Sequence, residues 1–163
     1  MRKVISALIA IAALGAWPLS VAAESQFGDP NAQPVPFQPH MGALMSMLIQ
    51  PRHAKLGLAG QAENWPLAAY ALKELKQGFA VVAKAVPRFR GAPVAGLIES
   101  TVEQPLTVVD FAIKLKFRTQ FNDGYAQLTA ACNACHAATG HPFVVIKVPE
   151  ASAFPDQDFA PNP

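Results

Sequence analysis

What this chain lacks narrows it first. Strand-period alternation is almost absent, which disfavours a sheet-built fold. No internal repeat is present, and no low-complexity run beyond one proline-rich stretch, so solenoids and repeat arrays are excluded. No Ser-His-Asp order, carboxylate pair or phosphate-cradling glycine loop offers hydrolytic or nucleotide chemistry. Long apolar runs are missing too: the run from Val4 to Leu14 is about half of the roughly 20 residues that span a bilayer.

That short run has its own meaning. Arg2 and Lys3 precede it, and Val21-Ala22-Ala23 close it before Glu24. A basic start, an apolar core and small residues at the end are the pattern of a secretory signal peptide, with cleavage expected after Ala23 and export to the periplasm. The competing reading, a membrane anchor, falls on the length of the core. Without Arg2 and Lys3 the thirteen basic residues become eleven, equal to the eleven acidic ones. A near-neutral chain with scattered cations is not expected to bind nucleic acid, and no stable membrane span is expected after cleavage. The 140 residues left once 23 are removed suit one domain with one core.

Residues 24–39 carry Pro30, Pro34, Pro36 and Pro39 and no periodicity, so they are expected to form an extended leader arm. Helical spacing begins near His40 with Met41, Leu44, Met45, Leu48, Ile49, Leu56 and Ala59. Pro51 predicts a kink there, or a restart at Arg52. Asn64 can cap a second helix that stops before Pro87, with Leu67, Ala71, Leu75, Phe79, Val82 and Val86 on its apolar face. Pro87 to Pro93 is rich in turn formers. A third segment, Val94 to about Lys116, holds Pro105 and predicts two helical pieces. A fourth helix is expected from about Arg118 to Ala138, closed by Gly140 and His141-Pro142. Four amphipathic segments over 40–140 with short joins predict an all-α, antiparallel up-down-up-down four-helix bundle. In the tail, 141–163, the run from Phe143 to Val148 could lie as an extended strap on it.

One motif carries chemistry. Cys132-Asn133-Ala134-Cys135-His136 reads C-x-x-C-H, the attachment signature of a covalent haem c. Residues three apart share a helix face, so two thiols can each add to a vinyl group of one haem while the next imidazole ligates the iron. Two other readings use the same residues. The first is a Cys132–Cys135 disulfide of the thioredoxin-like kind, although the βαβ setting of that motif is missing. The second is a zinc site from Cys132, Cys135, His136 and His141, which has the right ligand count but needs local unwinding, since neighbouring helical residues point about 100° apart. His136 is the expected proximal iron ligand. An antiparallel bundle brings the first helix beside the end of the fourth, so Met41, Met45, Met47 and His53 are the candidate distal ligands. Methionine or histidine there favours an electron carrier; leucine or phenylalanine favours an open iron that binds nitric oxide or carbon monoxide. Each methionine also reads as core filling, and His53 as an interhelical polar residue. His141 could reach a haem propionate or stand solvated. Trp65 and Tyr70 are expected to anchor the join of helices one and two.

A bundle whose last helix ends in this motif resembles the cytochrome c-prime-like class of exported cytochromes. In ordinary cytochrome c the motif lies near the mature amino terminus and a distant methionine follows; here 27 residues follow His136 and none is methionine. Arg52-His53-Ala54-Lys55-Leu56, the stretch from Ala59 to Tyr70, Cys132 to His136 and His141 to Ile146 look like a group of small proteobacterial periplasmic c-type cytochromes. The resemblance implies a single-haem helical protein, not an enzyme. Cys132 and Cys135 are then the thioether residues and His136 the proximal ligand, with periplasmic redox proteins as partners. The class also implies gas binding as the alternative and homodimers as a recurrent assembly.

Overall fold

A computed structural model describes residues 38–161. The expected signal peptide and all but the end of the expected leader arm lie outside the described residues. The rest is all-α apart from one two-stranded hairpin. Among the described residues no helix is long and apolar enough to cross a membrane.

The first helical rod is α1 (Met41–Leu44), a π-helical turn (Met45–Ile49) and α2 (Gln50–Gln61). The ring of His40 accepts from the Ala43 amide at 3.2 Å and caps its start. The regular α-helix resumes at Gln50, with Pro51 in its first turn, and not at Arg52. The wider π turn, whose Met45 carbonyl accepts from the Gln50 amide, precedes the proline and gives its ring room. Nη1 of Arg52 donates to the Leu48 carbonyl at 2.9 Å, one of the groups loosened by this irregular stretch. The same guanidinium stands 3.6 Å from Glu74, tying α2 to the next helix.

Asn64 caps α3 (Trp65–Ala85) by accepting from the Leu67 amide at 3.2 Å, with Pro66 in the first turn where no amide donor is needed. Residues 87–93, legible only as turn formers, close into a hairpin: β1 (Arg88–Phe89) pairs antiparallel with β2 (Ala92–Pro93). Its two turn residues, Arg90 and Gly91, both have positive φ, as tight hairpins require. The third segment does divide, into α4 (Val94–Thr101) and α5 (Glu103–Leu115). The break falls at Val102, three residues ahead of the proline. Pro105 would clash with the Thr101 carbonyl four residues back in an unbroken helix, and it sits instead in the first turn of α5. Lys116, at φ 55°, ends α5, and α6 (Arg118–Ala138) follows, closed by Gly140 at φ 76°.

Helix α2 packs on α3 and α6, while α5 packs on α6 and α3. Leu56, Leu75, Val82, Leu106, Val109, Phe121, Tyr125 and Leu128 fill the space between them. Two glycines let α2 and α6 approach: a Cβ on Gly57 would lie 2.5 Å from Cζ of Tyr125, and one on Gly60 2.0 Å from Cζ of Phe121. After Gly140 the chain turns back along the helices. Gln61 donates to the Pro149 carbonyl at 3.2 Å and Asn64 to the Ala160 carbonyl at 2.8 Å, and Phe159 is buried.

Candidate functional site

The carboxyl end of α6 opens into a cavity of about 240 Å3. Cys132, Cys135 and His136 line it from α6, Met41, Met45, Ile49 and His53 from the first rod, Phe79 from α3, and Val94, Leu97 and Ile98 from α4. These four of the rod's lining residues stand four apart. A regular helix advances about 100° per residue, so such a row drifts by about 40° per step and by about 120° over twelve residues. The π turn takes more residues per turn and cancels much of that drift. It is therefore the local irregularity beside Pro51 that keeps Met41, Met45, Ile49 and His53 on one wall.

The strap after α6 forms the outer wall through Val144 and Ile146. It is held by residues of the motif itself. Asn133, between the two cysteines, donates to the Ile146 carbonyl at 2.9 Å and accepts from the Ile146 amide at 2.7 Å. Nδ1 of His136 lies 2.8 Å from the Val144 carbonyl, which it can reach only as a donor. With Nδ1 committed to that bond, Nε2 is the ring nitrogen left to ligate a metal.

Both cysteines are free thiols. Burial, with Cys135 nearby, pushes the Cys132 thiol up to about 11, and burial raises Cys135 as well, so both are protonated near neutral pH. Zinc finds no ligand set: among the described residues no three His, Cys, Asp or Glu side chains group to hold an ion. Helix α6 stays regular to Ala138, so Cys135 and His136 point apart. His141 stacks instead on Phe89, with centroids 5.7 Å apart.

The four candidate distal residues separate. Met41 and Met45 line the cavity. Met47 does not; it is 65% exposed, since two positions on from Met45 the rod faces outward. His53 borders the cavity but is 3% exposed and has both ring nitrogens engaged, Nδ1 at 3.0 Å from the Tyr125 hydroxyl and Nε2 at 3.1 Å from the Thr129 hydroxyl. The Tyr125 hydroxyl also donates to the His53 carbonyl at 2.7 Å. Burial lowers the His53 pKa to about 4, which keeps it neutral, and burial with Cys132 nearby raises that of Tyr125. His53 is thus a member of a buried polar network and not a free ligand. Sequence reasoning missed Asn133 as a clasp, because the spacer positions of the motif carry no signal of their own. It also missed Thr129, whose four-residue step from Tyr125 was its one visible hint.

The residues fit a covalent haem on three observations: two cysteines and a histidine border one apolar cavity, the histidine's second nitrogen is fixed by a backbone carbonyl, and two thioether side chains border the same space. Trp65 stands edge-on to Phe121 at 6.1 Å in the core and Tyr70 is exposed. Compared with family models, curated proteins and solved structures, the chain matches none.

Proposed function

We propose that this chain is an exported single-haem c-type cytochrome that passes electrons between protein partners. The observation that carries the reading is the Nδ1 bond of His136 to the Val144 carbonyl, which prepares Nε2 for iron beside two free cysteines on one cavity. Cys132 and Cys135 would hold the group as thioethers. When bound, the haem supplies a one-electron couple at its iron. The Val144 carbonyl makes the imidazole a stronger donor. Met45, on the π turn, would be the second side chain to hold the group, with Met41 one turn before it. The apolar side chains of Phe79, Val94, Leu97 and Ile98 exclude water, which favours the less charged, reduced state. The contacts of α2 with α3, α3 with α5, α5 with α6 and α6 with α2 support an antiparallel four-helix bundle as the frame.

Ile49 favours a second reading. It is buried on the same wall as the two methionines, and if it covers the iron the protein binds nitric oxide or carbon monoxide.

The test is expression with haem-maturation machinery, a denaturing haem stain, and spectra of oxidised, reduced and carbon-monoxide-treated protein. Covalent stain that is lost in Cys132→Ala with Cys135→Ala supports the cytochrome; no stain in the parent sinks it. Narrow reduced peaks unmoved by carbon monoxide, becoming broad and responsive in Met45→Ala, support the carrier. A parent that already binds carbon monoxide gives the site to gases.

A further inference from the structure

Charge is spread unevenly along the chain. No acidic residue occurs between Glu74 and Glu99, where Lys76, Lys84, Arg88 and Arg90 stand, and none between Asp123 and Glu150, where Lys147 stands. These two stretches build the mouth of the cavity. Phe89 of the hairpin and His141 and Val144 of the strap line it. His141 bridges the two segments, 5.7 Å from the ring of Phe89 and 5.8 Å from that of Phe143. Arg90 belongs to the same rim, since its guanidinium would stand 3.3 Å from a Cβ on Gly140.

The cations there form no ion pair among the described residues; Arg88 donates to the Gly91 carbonyl within its hairpin, and Lys147 lines a second cavity together with Glu150. Among the described residues the ion pairs are Arg52–Glu74, Lys114–Asp110 and Arg118–Glu63, and none involves Arg88, Arg90 or Lys147. Beside them the strap presents bare apolar surface, with Phe143 78% and Val145 62% exposed. Acidic residues gather at the other end of α6: Glu63 pairs with Arg118 at its start, and Asp158 accepts from the amide of Ala160, whose carbonyl Asn64 holds.

We infer that the hairpin and strap form a docking face for a redox protein with an acidic surface. Phe143 and Val145 supply the apolar centre, and Arg88, Arg90 and Lys147 the rim that steers the partner to the cavity mouth. A second copy of this chain would bring the same cations against themselves, and that repulsion selects an acidic partner over a self-pairing. The inference rests on the cytochrome reading, so its test needs a measurement that does not depend on electron exchange.

Polyglutamate peptide, titrated into isotope-labelled haem-loaded protein at low salt, is the probe. Amide shifts are expected on residues 88–93 and 141–148, fading as salt is added. Arg88→Glu with Arg90→Glu and Lys147→Glu is expected to weaken binding by about tenfold or more. The same variant, once reduced, should lose its electron to the anion hexacyanoferrate(III) more slowly than the parent, and to a cationic cobalt(III) chelate faster. Shifts on another face, or binding indifferent to the triple variant, overturn the inference. So does a concentration-dependent dimer that Phe143→Asp dissociates, which would give the face to a second copy. Tighter binding to phosphatidylglycerol vesicles than to polyglutamate, lost in Phe143→Ser, would give it to a membrane and also overturn it. If the chain carries no haem the functional reading falls alone, because the same titration on the haem-free protein still locates the face.

Discussion

Replacing Gly60 with alanine sets two effects of opposite sign against each other. Gly60 lies inside α2 with ordinary helical geometry, so alanine by itself should stabilise the helix by about 0.5–1 kcal/mol. The added Cβ, however, would lie 2.0, 2.1 and 2.5 Å from three ring carbons of Phe121. That ring is fully buried and stacked on Tyr125 at 5.8 Å, and it stands edge-on to Trp65. It has nowhere to retreat, so the helices must part, and overpacking of this kind costs about 1–3 kcal/mol and sometimes more. The clash here is severe enough to place Gly60→Ala at the upper end, with a net loss of at least about 2 kcal/mol after the helix gain. Gly96 in α4 is the control, because the nearest atom to its Cβ is Cγ of Pro93 at an ordinary 3.6 Å. Gly96→Ala should gain about 0.5 kcal/mol or more. Urea unfolding followed by far-ultraviolet circular dichroism reads both; with slopes of about 1–3 kcal/mol per molar, the Gly60→Ala midpoint should drop by about 1 M. Shortening the ring in Phe121→Leu should recover part of the loss in the double variant. The packing account is refuted if Gly60→Ala unfolds at the same or higher urea as the parent.

Two further expectations concern the polar groups. His53 has a folded pKa lowered from 6.5 to about 4, so between those values the unfolded chain binds more protons. Stability therefore rises with pH through this window and is lost as pH falls from about 6.5 to 4, by on the order of 3 kcal/mol; unfolding of His53→Gln across pH should show a flatter slope, and an unchanged slope would move the effect elsewhere. Asn133→Ala removes both bonds to Ile146 and should release the strap at a cost of about 1–3 kcal/mol. Hydrogen exchange at the Ile146 amide should accelerate while the Leu128 amide stays protected; protection retained at Ile146 contradicts the clasp.

Much of the helical layout was legible because amphipathic spacing and caps act locally. Asn64 and Gly140 mark their boundaries in the sequence. Proline effects were legible in kind but not in place. Pro51 is absorbed by a π turn, and Pro105 forces its break at Val102, because each proline's clash falls on a carbonyl four residues earlier. The motif residues stood out by spacing. Their surroundings did not, since Asn133, Thr129 and the Val144 carbonyl act on partners that no periodicity announces. His53 shows the same limit: a histidine on an inward face reads alike as ligand or as network member until Tyr125 and Thr129 are seen on its two nitrogens.

The clasp on the strap also orders events in time. The side chains that hold it, Asn133 and His136, point the right way only once the end of α6 is helical, and the backbone they grip follows α6 in the chain. Until that backbone arrives the cavity lacks its outer wall, and the route to Cys132 and Cys135 is at its widest. The haem attachment proposed at those thiols would thus have a natural interval, after α6 forms and before the strap closes, and a variant that slows closure should lengthen it.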